Sequence, residues 1–206
     1  MGSEFLIKNI RGYFIYMKKA LLIASVLFIA VITTACINNI AIQELNNKAA
    51  EYMQKGDYES AMNRLQASID LDSTMYETYY NLGIAATNAK KYETAIEAFE
   101  NGIKLKPEHA NFYYSLGVAQ SAYADELTES TVYDEEKDET VEKKVSDDDK
   151  RKAEALKIVA IENLKKYIEM SPNAEDRETV ENLIKDCENF GKTEATEQTK
   201  KIEVEG

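Results

Sequence analysis

Between residues 42 and 190 the apolar positions fall in stripes at helical spacing, separated by short polar turns. The clearest pair lies in residues 76–109, YETYYNLGIAATNAKKYETAIEAFENGIKLKPEH. Tyr79, Leu82 and Ala86 mark one stripe, Ala95, Phe99 and Ile103 mark the next, and Lys90-Lys91 lies between them. The pattern predicts two helices joined by a tight turn. Gly83 and Gly102 fall inside those helices, where glycine costs roughly 1 kcal/mol relative to alanine, and close approach of a neighbouring helix accounts for that cost. Pro107 cannot continue a helix and pushes Lys106 out of the helical region, which ends the unit. One such hairpin cannot bury its own apolar face, so it requires stacked neighbours.

The same unit recurs on both sides. In residues 42–75, Leu45, Ala49 and Tyr52 precede a Gly56-Asp57-Tyr58 turn, and Ala61, Leu65 and Ile69 follow it. Lys48 and Ser73 are polar intrusions there, as expected of a terminal unit whose outer face meets water. Forwards, Tyr113, Leu116 and Gly117 open a third unit, but its second helix returns late as Ala160, Leu164, Ile168 and Pro172. This unit therefore spans 110–174 with an acidic insertion at 125–150, and Ala153 and Leu156 start the late helix well before Ala160. The insertion, rich in Glu, Asp, Lys and Thr, reads as disordered or as solvated helix extensions. Residues 175–190 form a last helix with Val180, Leu183, Ile184 and Cys187 on one face, which Asn173 is placed to cap, and Gly191 ends it. The Thr/Glu/Lys-rich stretch 191–206 reads as disordered.

The layout of residues 76–109 resembles the tetratricopeptide repeat (TPR), whose 34-residue pattern is W-x₂-L-G-x₂-Y…A-x₃-F…P. Tyr79 stands for the Trp and Ala86 for the later Tyr, whereas Leu82, Gly83, Ala95, Phe99 and Pro107 match. The resemblance implies an all-α superhelical array of three helical hairpins plus a capping helix. It also implies that the first helix of each hairpin lines a concave groove. Carried over position by position, the groove residues are Asn46, Ala50 and Met53, then Glu77, Tyr80, Ile84 and Thr87, then Asn111, Tyr114, Val118 and Ser121. Some family members clamp a partner's carboxylate with Lys and Arg in this groove. The matching places here hold Asn46, Ala50, Asn111 and Ser115, only Asn81 agrees, and no cation is present.

The N-terminus reads as an address. Met17-Lys18-Lys19 followed by ALLIASVLFIAVITTAC has a charged region, an apolar run and small residues before a cysteine. Thr33-Thr34-Ala35-Cys36 resembles a bacterial lipobox, which implies removal of 17–35, lipidation of Cys36 and a tether over 36–41. The alternative is an uncleaved anchor, since Ala20 to Ile37 is uncharged and near the shortest length that spans a bilayer. Residues 1–16 do not fit the signal, and Gly2-Ser3-Glu4-Phe5 has the look of a cloning scar. Both readings expect the folded part outside the cytoplasm, on a bacterial membrane. Ile37, which is not the Asp of inner-membrane retention, favours the outer membrane where there are two; with a single membrane the place is its outer face.

Charge narrows the partners. The chain holds 25 basic and 37 acidic side chains, and beyond residue 35 the balance is about −15. Such a surface repels phosphate backbones, so no nucleic-acid partner is expected. The acidic insertion leaves a cationic partner as an option beside a plain solvated spacer. Asp147-Asp148-Asp149 lacks the alternation and glycine of a calcium loop. His109, the single histidine, has no second ligand in reach along the chain. No nucleophile elbow, zinc-binding HExxH or phosphate-cradling glycine loop occurs, so neither an enzyme nor a cofactor is expected.

Together these readings predict a membrane-anchored scaffold that binds a protein or peptide through an apolar and aromatic groove, in envelope assembly. Tyr80 with Tyr114, and Ile84 with Val118, stand one period apart and are expected side by side. Two alternatives stay open. The same residues could fill space between helices, and the concave face could hold a small apolar solute as an accessory to a transporter.

Overall fold

A computed structural model of the chain describes the backbone of residues 2–134, 139–142 and 144–190. The side chains of 2–15, 27–38, 132–134, 139 and 141 lie outside the described residues, and so does the whole of 191–206. The chain divides into two compact units, Met1–Leu45 and Asn46–Gly206.

The first unit belongs to α1, whose backbone runs Gly2–Gln54. Tyr16, Met17, Leu21, Leu22, Ile23 and Val26 are exposed on it. Among the described residues no helix is long and apolar enough to cross a membrane. Cys36 and most of the second half of the expected signal lie where side chains are not described. The helix continues through residues 37–41, the stretch expected as a tether.

Among its described residues the second unit contains the end of α1 and six further helices: α2 (Tyr58–Leu71), α3 (Tyr76–Asn88), α4 (Tyr92–Leu105), α5 (Ala110–Thr128), α6 (Asp147–Met170) and α7 (Arg177–Asn189). Each packs chiefly on its sequence neighbours, which is the signature of a quasi-one-dimensional array. The turns show why the helices stop where they do. Gly56 takes φ 75° and Lys90 takes φ 57°, and these two left-handed residues lie one repeat apart. Asp57 then caps α2 by accepting from the Ser60 amide at 3.1 Å, and the Ser60 hydrogen bonds hold its carboxyl below the ordinary value.

Three apolar clusters correspond to the three hairpin interfaces. The first centres on Ala61, Leu65 and Leu82, the second on Phe99, Phe112 and Leu116, and the third on Leu164, Val180 and Ile184. The helical glycines act here by close approach. A Cβ on Gly83 would overlap the Phe99 ring, and one on Gly102 would overlap the Phe112 ring. Each missing side chain seats the aromatic ring of the next helix, which accounts for glycine at a costly position.

Two expectations are sharpened or corrected. Both ends of the 125–150 insertion are helix extensions, one of its two expected readings, but among the described residues a short ribbon lies between them. α5 runs on to Thr128, α6 starts at Asp147, and between them β1 (Thr131–Asp134) pairs antiparallel with β2 (Glu139–Glu142). Thr131, Val132 and Tyr133 in one segment and Thr140 and Val141 in the other give the short ribbon its β-propensity, which a count of charges overlooks. Ser146 caps α6 by accepting from the Asp149 amide at 3.0 Å, with Asp147, Asp148 and Asp149 in the favourable first turn. At α7 the N-cap residue is Asp176, not Asn173, and Asp176 makes no capping bond. Its carboxylate instead accepts the Tyr167 hydroxyl at 2.8 and 3.0 Å, because the third hairpin needs a partner for that buried phenol.

Candidate functional site

The inner positions of α1, α3 and α5 sort by exposure. Ala50, Glu77 and Asn111 are exposed, and Met53, Tyr80, Ile84, Thr87, Tyr114 and Val118 are half-buried. Met53 packs against the first cluster, Tyr80 and Ile84 against the second, and Tyr114 against the third. The Thr87 hydroxyl donates to the Gly83 carbonyl at 2.8 Å, a bond within its own helix.

The tyrosines do more packing than their helical positions suggest. The Tyr80 ring meets Phe112 edge-on at 5.2 Å and lies 6.0 Å from Phe99 and from His109. Its hydroxyl accepts a bond from Ser115 at 3.4 Å. Tyr114 turns to α6, with its ring 5.2 Å from Tyr167. Among the described residues no ring contact joins Tyr80 to Tyr114; each ring packs on other aromatic partners. Both phenols still act on Tyr167, whose hydroxyl is pushed up to about 12 by burial first, then by Asp176, with smaller effects of Tyr114 and Tyr80.

Ser121 is a correction. It is 4% exposed and lies under α6 and α7, where it accepts from the Lys157 ammonium at 2.9 Å and from the Cys187 thiol at 3.4 Å. Extension of α5 past the usual turn, together with the long α6, closes over this position. Asn46 is likewise drawn inward, donating to Ser68 at 3.2 Å and to Thr78 at 3.4 Å, which ties α1 to the buried polar atoms of α2 and α3.

Several residues that matter here gave little or no signal along the chain. Lys157 is 6% exposed, pairs with Asp125 at 2.6 Å and sits 5.0 Å from the centre of the Phe190 ring. A lysine inside the apolar stripe of α6 is the one clue that could have found it. His109 precedes α5 among the rings of Tyr76, Tyr80 and Phe112, and its Nδ1 is buried without a hydrogen-bond partner. Among the described residues no three His, Cys, Asp or Glu side chains converge as metal ligands would.

Sequence comparison meets this geometry at its centre. Residues 76–109 match the tetratricopeptide-repeat model and residues 49–86 match a TPR-repeat model. The fold is a TPR array. The TPR2B domain:pHsp70 complex of yeast Sti1 superposes with a TM-score of 0.54 at 15% identity, covering 73% of this chain and 98% of that one. The Arabidopsis OM64 TPR domain gives 0.54 at 13% identity, covering 74% and 98%. The second TPR domain of human RPAP3, solved in complex with the HSP70 peptide SGPTIEEVD, gives 0.52 at 15% identity, covering 72% and 98%. At such identities the likeness is one of fold. No curated protein matches the sequence.

Proposed function

We propose that this TPR array is a scaffold, anchored to a bacterial membrane through Cys36, that holds a protein or peptide partner on the inner face of α1, α3 and α5. The observation that carries the binding reading is the half-buried state of Met53, Tyr80, Ile84, Tyr114 and Val118 at the TPR groove positions. They are packed firmly enough to be pre-organised, yet their outer edges remain open to a ligand. Support comes from the TPR domains of yeast Sti1 and human RPAP3, solved with Hsp70 and an HSP70 peptide, which bind polypeptide on the same architecture. The partner differs in chemistry from a carboxylate tail, since the corresponding places hold Asn46, Ala50, Asn111 and Ser115 in place of cations. Apolar and aromatic side chains of a peptide or helix fit this face.

The anchoring part rests on the Met17–Cys36 pattern. On this reading the array works outside the cytoplasm, in envelope assembly. One experiment tests the binding reading. Ala50→Arg with Asn111→Arg puts two long cations on exposed groove positions without touching a packed side chain. Capture of a defined protein from membranes, and its direct binding after purification, should fall by about tenfold or more in the double variant, with helicity and melting unchanged. Equal capture by both proteins refutes the groove, and loss of a co-purifying lipid or metabolite instead favours the solute-binding alternative. For the anchor, Cys36→Ser should abolish the lipid mass increment on Cys36 and release the chain from membranes. An unlipidated chain that stays membrane-bound points to the uncleaved anchor.

A further inference from the structure

The lengthening of α5 builds a second, separate cleft. α3 ends at Asn88, and one period later the equivalent residue is Ala122, but α5 continues to Thr128, nearly two turns further. The added turns run past the tip of the middle hairpin. Ala122, Asp125, Glu126 and Glu129 from this side face Lys90 and Tyr92 from the other, lining an open surface cleft of about 430 Å³.

Two observations give the cleft a preference. The first is charge. Three carboxylates face one ammonium, and among the described residues neither the Glu126 nor the Glu129 side chain has an ion-pair partner. Asp125 gives one oxygen to Lys157 at 2.6 Å, which leaves the other for the cleft. Nearby, Glu93 is occupied by Lys152 at 3.5 Å. The second is a phenol whose ring is buried and whose hydroxyl opens on the cleft. Tyr92 is 8% exposed and its ring stacks on Tyr123 at 5.7 Å, while its hydroxyl lies at the cleft surface with no hydrogen-bond partner among the described residues. That hydroxyl faces the cleft carboxylates: burial first, then Glu126, Asp125 and Glu129, push it above the ordinary tyrosine value. An N–H donor entering the cleft would satisfy the phenol oxygen and the carboxylates together.

We infer that this cleft receives an arginine side chain from a basic segment of a partner protein. Guanidinium carries five donors in a fixed fork, which suits several acceptors set along one helix face better than a point charge does. The carboxylates are spread along α5 and do not converge as metal ligands would among the described residues, so a spread organic cation fits better than a bare ion. The site is independent of the groove on the inner helix faces, and its test separates the two.

The probe is a fluorescein-labelled Gly/Ser nonapeptide with two arginines four residues apart, titrated into the full chain at about 0.15 M salt, where general surface attraction is screened. Glu126→Gln with Glu129→Gln should weaken binding about tenfold, whereas Glu162→Gln with Glu178→Gln, equal in charge loss but on exposed α6 and α7 positions, should change it less than about twofold. Tyr92→Phe keeps every charge and should weaken binding about threefold to tenfold. Lys90→Gln removes the competing cation and should tighten it. The groove-blocking pair Ala50→Arg and Asn111→Arg should leave it within about twofold. Equal losses in the two Glu pairs, no effect of Tyr92→Phe, or no binding by the unaltered chain overturns the inference.

Discussion

Lys157 illustrates how one residue can hold two helices in register. Its ammonium is buried between α5 and α6, with Asp125, Ser121 and the Phe190 ring around it. Removing Asp125 strands the charge, whereas replacing the lysine removes the need for a partner. Asp125 is 62% exposed at its side chain, so water offsets part of the loss. Asp125→Ala should then cost about 1–3 kcal/mol in urea unfolding, and adding Lys157→Met should restore most of it. Tyr167 offers a pH readout. Its phenol is raised from 10.0 to about 12 in the folded chain. The stabilisation from the neutral, Asp176-bonded form is therefore complete below pH 10 and is lost as pH rises towards 12. Stability of the chain should fall more steeply across that window than stability of Tyr167→Phe, measured by denaturant midpoints at each pH.

Among the elements, the hairpins share a backbone rule that the third one breaks. Gly56 and Lys90 hold the left-handed turn position in the first two units, and the equivalent Ala124 lies buried in α5. Where the left-handed residue is absent, the helix runs on and the long α5–α6 pair results. Lys90 carries a side chain into a conformation that glycine adopts freely, so Lys90→Gly should stabilise the chain by up to about 1 kcal/mol in thermal unfolding. Gly83→Ala forces its methyl into the Phe99 ring, and a loss of about 1–3 kcal/mol is expected by the same measurement. The stripes Leu82–Ala86 and Ala95–Phe99 were legible as helices because their period is local. The β1–β2 ribbon was not, since its few apolar residues are outnumbered by charge and the pairing joins residues across a turn.

For the molecule as a whole, the array and the insertion divide the work. Packing passes from hairpin to hairpin through three clusters, whereas β1 and β2 contact chiefly each other. Replacing residues 130–145 by a short Gly/Ser linker should leave the melting temperature within a few degrees, provided Asp125 and Lys157 are kept. A collapse of stability would mean that the ribbon supports the array. The two proposed surfaces differ in kind. The inner faces of α1, α3 and α5 offer apolar and aromatic edges, and the α5 extension offers carboxylates beside the Tyr92 phenol.

Periodicity and a few obligatory residues were enough to determine the helical hairpins, their 34-residue register and the break after Tyr123. Those features depend on local spacing, backbone freedom at glycine and the missing amide of proline, all readable along one chain. Which inner side chains remain open was decided only in three dimensions. Ser121 and Asn46 share the period of the groove residues, but a lengthened α5 and α6 bury the first, and buried hydroxyls on α2 and α3 recruit the second. The same lengthening draws Tyr92, Glu126 and Glu129 into one cleft from segments with no common period. Burial and hydrogen bonding join residues distant along the chain, and a repeat pattern holds no record of those meetings.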